Sequence, residues 1–214
     1  MLELIIHTVP GSPFARATIA GLKEKRLPYR LAPLRLGDHK SAEHLKRHPF
    51  GRMPVIEHGA FTLYETQAIL RYLDRLAPEP RFVPEGAEDE ARMNQLIGIS
   101  DWYVFNHISA PITFQRFVAP KFGLPVDEKR IAEAIEPARA CIGALEAILG
   151  DKEFLAAATL SIADIMIAAQ LDLFARIDEG REMLAGAPRL ISWLARLLAR
   201  RSFAETSWEH FGAI

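Results

Sequence analysis

Three short stretches of this chain hold residues whose types and spacing suit chemistry. In the first, Glu65-Thr66 immediately precedes Ile69, Leu70, Leu73 and Leu76, the apolar spacing of a helix. The N–H groups of a helix's first turn have no partner within the helix, and with the helix dipole they favour an anion. The Thr66 hydroxyl adds a donor and Glu65 supplies the opposite sign. Together they suit the head of an α-amino acid, the amides taking its carboxylate and Glu65 its ammonium. The alternative is that Glu65 and Thr66 only cap the helix. Just upstream, Gly51 and Met53-Pro54 force a sharp turn before the β-favouring pair Val55-Ile56. Pro54 cannot donate a hydrogen bond, and X-Pro bonds are the ones for which cis is accessible, so the expectation is a cis Pro54 that presents the Val55 backbone to a ligand.

The second stretch is Pro10-Gly11-Ser12-Pro13. Ser12 is a good N-cap and Pro13 a favourable first helical residue, so the Ser12 hydroxyl sits at a helix N-terminus, as a cap or as a group that does chemistry. It has no evident His-Asp partners, which argues against an acyl-enzyme hydrolase. The third is Gly37-Asp38-His39-Lys40-Ser41, a polar break that with Arg52 offers cations near the same turns, or else plain solvated loop charges.

The elements that must position these groups follow from the pattern. Residues 2–6 read as a strand, 13–25 as a helix with Phe14, Ala17 and Leu22 inward, and 28–34 as a second strand. A short helix at 43–47 stops before Pro49, and Phe61-Thr62-Leu63 follows the Gly59 turn, giving the order βαβαββα over roughly the first 77 residues. Residues 78–87 include Pro78, Pro80 and Pro84 and read as a linker. From 88 to 214 helical periodicity dominates, with Trp102, Tyr103 and Phe105 in a long helix, a second from Asp127 to about Leu149, and Ser161/Asp164 in capping-box spacing before an almost wholly apolar run. Another helix begins at Pro188.

The 214 residues are 50% hydrophobic and 25% charged with a formal net charge of −1, the profile of an ordinary globular chain. Lys and Arg are dispersed among Asp and Glu, so nothing points to nucleic acid or an acidic membrane surface. No window approaches a membrane span, and the N-terminus lacks the basic start of a signal peptide. The single cysteine, Cys141, rules out an internal disulfide and fits a reducing cytoplasm. No metal site is expected.

A βαβαββα domain, a proline-rich linker and an all-helical second domain with a central capping box resemble the cytosolic glutathione transferases. The segments that carry the resemblance are Ser12-Pro13-Phe14-Ala15-Arg16, Gly37-Asp38-His39-Lys40, His48-Pro49-Phe50-Gly51, Arg52-Met53-Pro54-Val55 and Glu65-Thr66-Gln67-Ala68-Ile69. By resemblance the first domain is thioredoxin-like and the chain is a serine-type bacterial member. Glutathione is then the co-substrate, with no other cofactor. Val55 would pair with its cysteinyl backbone, Glu65 and Thr66 would hold the γ-glutamyl head, and Lys40, Arg52 and His39 would lie near the glycyl carboxylate. Ser12 would donate a hydrogen bond to the sulfur and favour the thiolate, with Arg16 adding to the effect. A small hydrophobic electrophile would sit between the domains, against some of Phe14, Trp102, Tyr103, Phe105, Phe114 and Phe117. His107 reads as a helix-wall residue. The family usually forms two-fold dimers, for which Phe50 and Phe82 are candidate contacts. Glutathione-dependent isomerisation or dehalogenation on the same scaffold, and a non-catalytic binding or scaffold role, are the competing functions.

Overall fold

A computed structural model describes residues 3–9, 11–35 and 37–211. The expected first strand residue Leu2, the turn residue Pro10 and the tail end Ile214 lie outside them. Contacts divide the chain into two compact units, Met1–Phe82 with Arg200–Ile214, and Val83–Ala199.

In the first unit β1 (Leu4–Thr8), α1 (Pro13–Glu24), β2 (Tyr29–Pro33), α2 (Ala42–Arg47), β3 (Val55–His58), β4 (Phe61–Tyr64) and α3 (Thr66–Leu76) follow the expected order, with a 3₁₀ turn at Asp38–Lys40 inside the anticipated polar break. The sheet order is β2-β1-β3-β4, with β1 parallel to β2 and both other pairings antiparallel. The parallel pair requires the α1 crossover, and the antiparallel pair β3-β4 needs only the turn at Gly59. Leu4, Ile6, Val55 and Ile56 from the sheet, and Ile19, Leu22, Ile69, Leu70 and Leu73 from α1 and α3, form the core. That burial fixes which ends of α1 and α3 lie at the mouths of the loops.

The proline-rich segment begins by joining this core. Asp74 Oδ1 accepts from Lys25 Nζ at 2.6 Å and from the Phe82 backbone N–H at 2.7 Å, while the Lys25 ammonium lies 4.1 Å from the Phe82 ring centroid. The division between units therefore falls after Phe82, inside the segment 78–87 that reads as a linker. At the other end, α9 (Arg201–Ala204) and α10 (Trp208–Phe211) belong to the first unit, although the periodicity from 88 onward assigns them to the second. Arg200 grips Glu24 with two hydrogen bonds of 2.8 Å, Lys23 pairs with Glu205 at 2.7 Å, and Arg16 donates to the Phe203 carbonyl at 3.2 Å. Sequence pattern cannot see such pairings, because the partners are more than 170 positions apart.

The second unit is helical. It contains α4 (Ala87–Gly98), a continuation with π-type winding over Ile99–Val118, a 3₁₀ turn at Ala119–Phe122, α5 (Glu128–Leu149), α6 (Ile162–Phe174), α7 (Asp178–Ala185) and α8 (Pro188–Leu198). α6 is buried at every position, as its apolar run requires. Its start is closed from within: Asp164 accepts from Leu155 N–H, from the N–H and hydroxyl of Ser161, and from Trp193 Nε1 at 2.6–3.0 Å. No helix of the described residues is long and apolar enough to cross a membrane.

Candidate active site

Ser12 caps α1. Its backbone is extended and its Oγ accepts from Ala15 N–H at 3.4 Å, so the hydroxyl keeps its own proton available for donation. The strand end leading to it is tied to the Met53 turn: Ser12 N–H donates to the Val9 carbonyl and Val9 N–H donates to Met53 Sδ, each at 3.3 Å. This link through a thioether has no sequence signature, yet it brings two of the three chemical stretches to one end of the sheet. Arg16, in the first turn of α1, is turned inward. Its guanidinium is buried against Phe203, with the carbonyl bond described above and its centre 5.5 Å from the ring.

The Met53-Pro54 peptide is cis, as expected. The backbone offered beyond it differs from expectation. β3 lies between two strands, and Val55 stands opposite His7 on one side and Tyr64 on the other. A residue flanked in this way directs its N–H and C=O at a neighbouring strand. Met53, like the rest of this turn, lies ahead of the ladder and outside the sheet.

The basic segment meets the same turn. Gly51 has φ +58°, and a Cβ there would lie 3.0 Å from the His39 carbonyl oxygen, so glycine lets the two loops touch. His44 Nε2 is 2.7 Å from the Arg52 carbonyl and, being buried, anchors that loop from below. Lys40 and Arg52 are exposed. His39 is pushed below its ordinary pKa by burial and by Lys40, His44 and Arg52, so at neutral pH it is a neutral ring and not one of the cations expected here. Electropositive character at this corner therefore rests on Lys40 and Arg52.

Glu65 occupies the N-cap of α3 with φ +71° and ψ +113°, a conformation that costs a non-glycine residue about 1–3 kcal/mol. Its carboxylate makes no cap hydrogen bond and its side chain is 61% exposed. The capping alternative thus fails for Glu65, and the first-turn amides of α3 are left without a side-chain cap. Thr66, the first residue of α3, is buried. His48, also buried, stacks on Tyr64 at 4.3 Å and brings Nε2 to 4.0 Å from Glu65 Oε1. From sequence His44 has no place and His48 only opens the segment His48-Pro49-Phe50-Gly51; their i,i+4 spacing on α2 and its C-cap is the signal that pairs them.

Of the residues considered for a second substrate, Phe14, Phe105, Phe114 and Phe117 are half-buried, while Trp102 and Tyr103 are exposed and not part of a helix core. Tyr103 and His107 have ring centroids 6.0 Å apart. Phe50 is 72% exposed, whereas Phe82 at 1% is enclosed by its own unit and has no surface to offer a partner. Among the described residues no group of three or more His, Cys, Asp or Glu could hold a metal ion.

A four-stranded mixed sheet with α1 and α3 packed on it, followed in the chain by a helical unit, defines a thioredoxin-like domain joined to an all-helical one. The glutathione S-transferase N-terminal domain matches residues 6–81 and the glutathione S-transferase C-terminal domain matches 128–196. Glutathione S-transferase 1 of Zea mays is 31% identical over 85% of each chain. Glutathione S-transferase theta-2B of Homo sapiens is 30% identical over 92% of this chain and 81% of its own. Among solved structures, maize glutathione S-transferase I in complex with an atrazine glutathione conjugate is 27% identical, with a TM-score of 0.82 over 95% of this chain and 96% of that one. The chain belongs to the glutathione S-transferase family.

Proposed function

We propose that the protein is a glutathione transferase in which Ser12 activates the glutathione thiol for attack on a small hydrophobic electrophile. The observation that carries this reading is the pairing of a hydroxyl at the start of α1 with an uncapped α3 N-terminus bearing Glu65, in one loop-linked unit. The γ-glutamyl carboxylate suits the α3 amides and the Thr66 hydroxyl, and its ammonium suits Glu65. The cysteinyl backbone extends the chain at Met53, ahead of the β3 ladder and not at Val55. Lys40 and Arg52 receive the glycyl carboxylate, with His39 as a neutral hydrogen-bonding neighbour.

In the reaction the thiol gives its proton to solvent, the Ser12 hydroxyl donates to the thiolate so formed, and the sulfur attacks the electrophilic carbon as the leaving group departs. A hydrogen bond to a charged group contributes about 1.5–3 kcal/mol, and one pKa unit is about 1.4, so one hydroxyl lowers a thiol pKa near 8.5 by one to two units. That makes the thiolate abundant near neutral pH. The exposed Phe50 supports pairing of two copies as a homodimer, and a single buried cysteine fits a reducing cytoplasm.

Retention on immobilised glutathione, followed by conjugation assays on a panel of aryl halides, isothiocyanates and epoxides, tests the proposal. Binding and turnover by the wild type with a 10- to 100-fold loss in Ser12→Ala are expected. A wild type that neither binds nor turns over contradicts the transferase assignment, and a fully active Ser12→Ala contradicts only the role of Ser12.

A further inference from the structure

Trp208 lies against the turn that delivers Ser12. A Cβ built on Gly11 would be 2.1 Å from Trp208 Cζ3, and 2.7 and 2.9 Å from two more atoms of the same ring, so the indole rests on the bare Cα of Gly11. With a Cα–Cβ bond of about 1.5 Å, Cζ3 is at most about 3.6 Å from that Cα, and Ser12 Cα is one peptide away, about 3.8 Å further. Gly11 is fitted to this twice over, because it also has φ +86°, a conformation that side chains rarely adopt. Trp208 as a residue is half-buried. It arrives there on a strap, residues 200–211, fastened along α1 by Arg200–Glu24, Arg16–Phe203 and Lys23–Glu205. Ser202 donates to Glu24 at 2.5 Å, and Thr206 is buried, with its hydroxyl donating to the Ser202 carbonyl at 2.8 Å. These bonds hold one aromatic residue in a fixed place beside the Ser12 turn.

We propose that Trp208 is a specificity-determining residue of this active site: it is an aromatic wall beside Ser12 against which the second substrate stacks, selecting flat aromatic electrophiles over aliphatic ones. This rests on the reading that Ser12 holds the glutathione sulfur. An electrophile bonding to that sulfur lies within a few ångströms of the Ser12 hydroxyl, hence within reach of the indole. An offset-stacked aromatic pair is favoured beyond its area burial, whereas a flexible alkyl chain gains only the burial.

The test compares wild type, Trp208→Phe, Trp208→Leu and Trp208→Ala for conjugation of 1-chloro-2,4-dinitrobenzene and of a series of primary alkyl bromides, with KM for glutathione recorded in parallel. Trp208→Ala and Trp208→Leu are expected to raise KM for the aryl chloride 5- to 10-fold, to change the alkyl bromides less than twofold and to leave KM for glutathione within twofold; Trp208→Phe recovers most of the loss. The aryl product, S-(2,4-dinitrophenyl)glutathione, should quench tryptophan fluorescence in the wild type and distinctly less in Trp208→Phe. Equal losses for aryl and alkyl substrates, or none, overturn the proposal, as does quenching unchanged in Trp208→Phe. A wild type inactive on every electrophile and unable to bind glutathione would instead remove the reading on which it rests.

Discussion

α6 and α3 both begin with a polar residue ahead of an apolar helix, and they end in opposite states. At α6 the box is closed: Ser161 and Asp164 satisfy each other, Leu155 and Trp193 add donors, and the cluster is buried. At α3 the N-cap Glu65 is held at φ +71° with its carboxylate turned outward, and no side chain caps the amides. A helix start that the protein satisfies itself contributes stability; one left open at a cost of backbone strain offers those donors to something else. The contrast separates a helix start closed by side chains from one left open where motif spelling does not.

Breaking the closed start has the largest effect. Asp164→Ala leaves buried donors of Leu155, Ser161 and Trp193 unpaired and is expected to cost about 3–5 kcal/mol in chemical denaturation, with KM for glutathione of the folded protein unchanged. Breaking the open start does the reverse. Glu65→Gln is expected to raise KM for glutathione about 10- to 100-fold, the worth of a charge-assisted hydrogen bond, while melting temperature stays within a degree or two. If Glu65→Gln unfolds the protein, or Asp164→Ala abolishes binding in the folded state, the distinction collapses.

The strap at 200–211 stands between these extremes, held by ion pairs near the surface. Hydrogen bonds from Lys23 and Arg201 keep the Glu205 carboxyl down at about 2. A depressed carboxyl contributes stability above its unfolded value, near 4.5, and loses that contribution as pH falls from there through about 2. Trp208 fluorescence, taken as the difference between wild type and Trp208→Phe, should therefore hold from pH 7 to about 5 and shift below it, and Glu205→Gln should flatten that shift. The smallest effect belongs to Cys141. Burial pushes its thiol up to about 11, so alkylation by iodoacetamide at pH 8 should be slow in the folded protein and fast in denaturant, with activity insensitive to Cys141→Ala.

Most of the fold was legible because its determinants are local. Alternation marked β1 and β4, proline and serine marked the start of α1, and the near-absence of polar residues marked α6 as central. Ser12 as the N-cap of α1 and the cis turn at Met53-Pro54 were legible for the same reason. What stayed hidden depends on distant partners. Val55 resembles a ligand-facing residue until the register sets strands on both sides of it. His39 reads as a cation until burial and the charges of Lys40 and Arg52 are added, and Arg16 reads as an active-site charge until Phe203 folds back onto it. Trp208 has no local mark at all. Phe82 reads as a surface contact until the buried Lys25–Asp74 pair, which the proline content does not reveal, encloses it in the first unit.

The central claim is that Ser12 favours the thiolate of bound glutathione. Ultraviolet titration of the thiolate in the binary complex tests it most directly. The account predicts a thiol pKa one to two units below about 8.5 in the wild type, returning toward that value in Ser12→Ala with glutathione still bound. The same pKa in both proteins would contradict it.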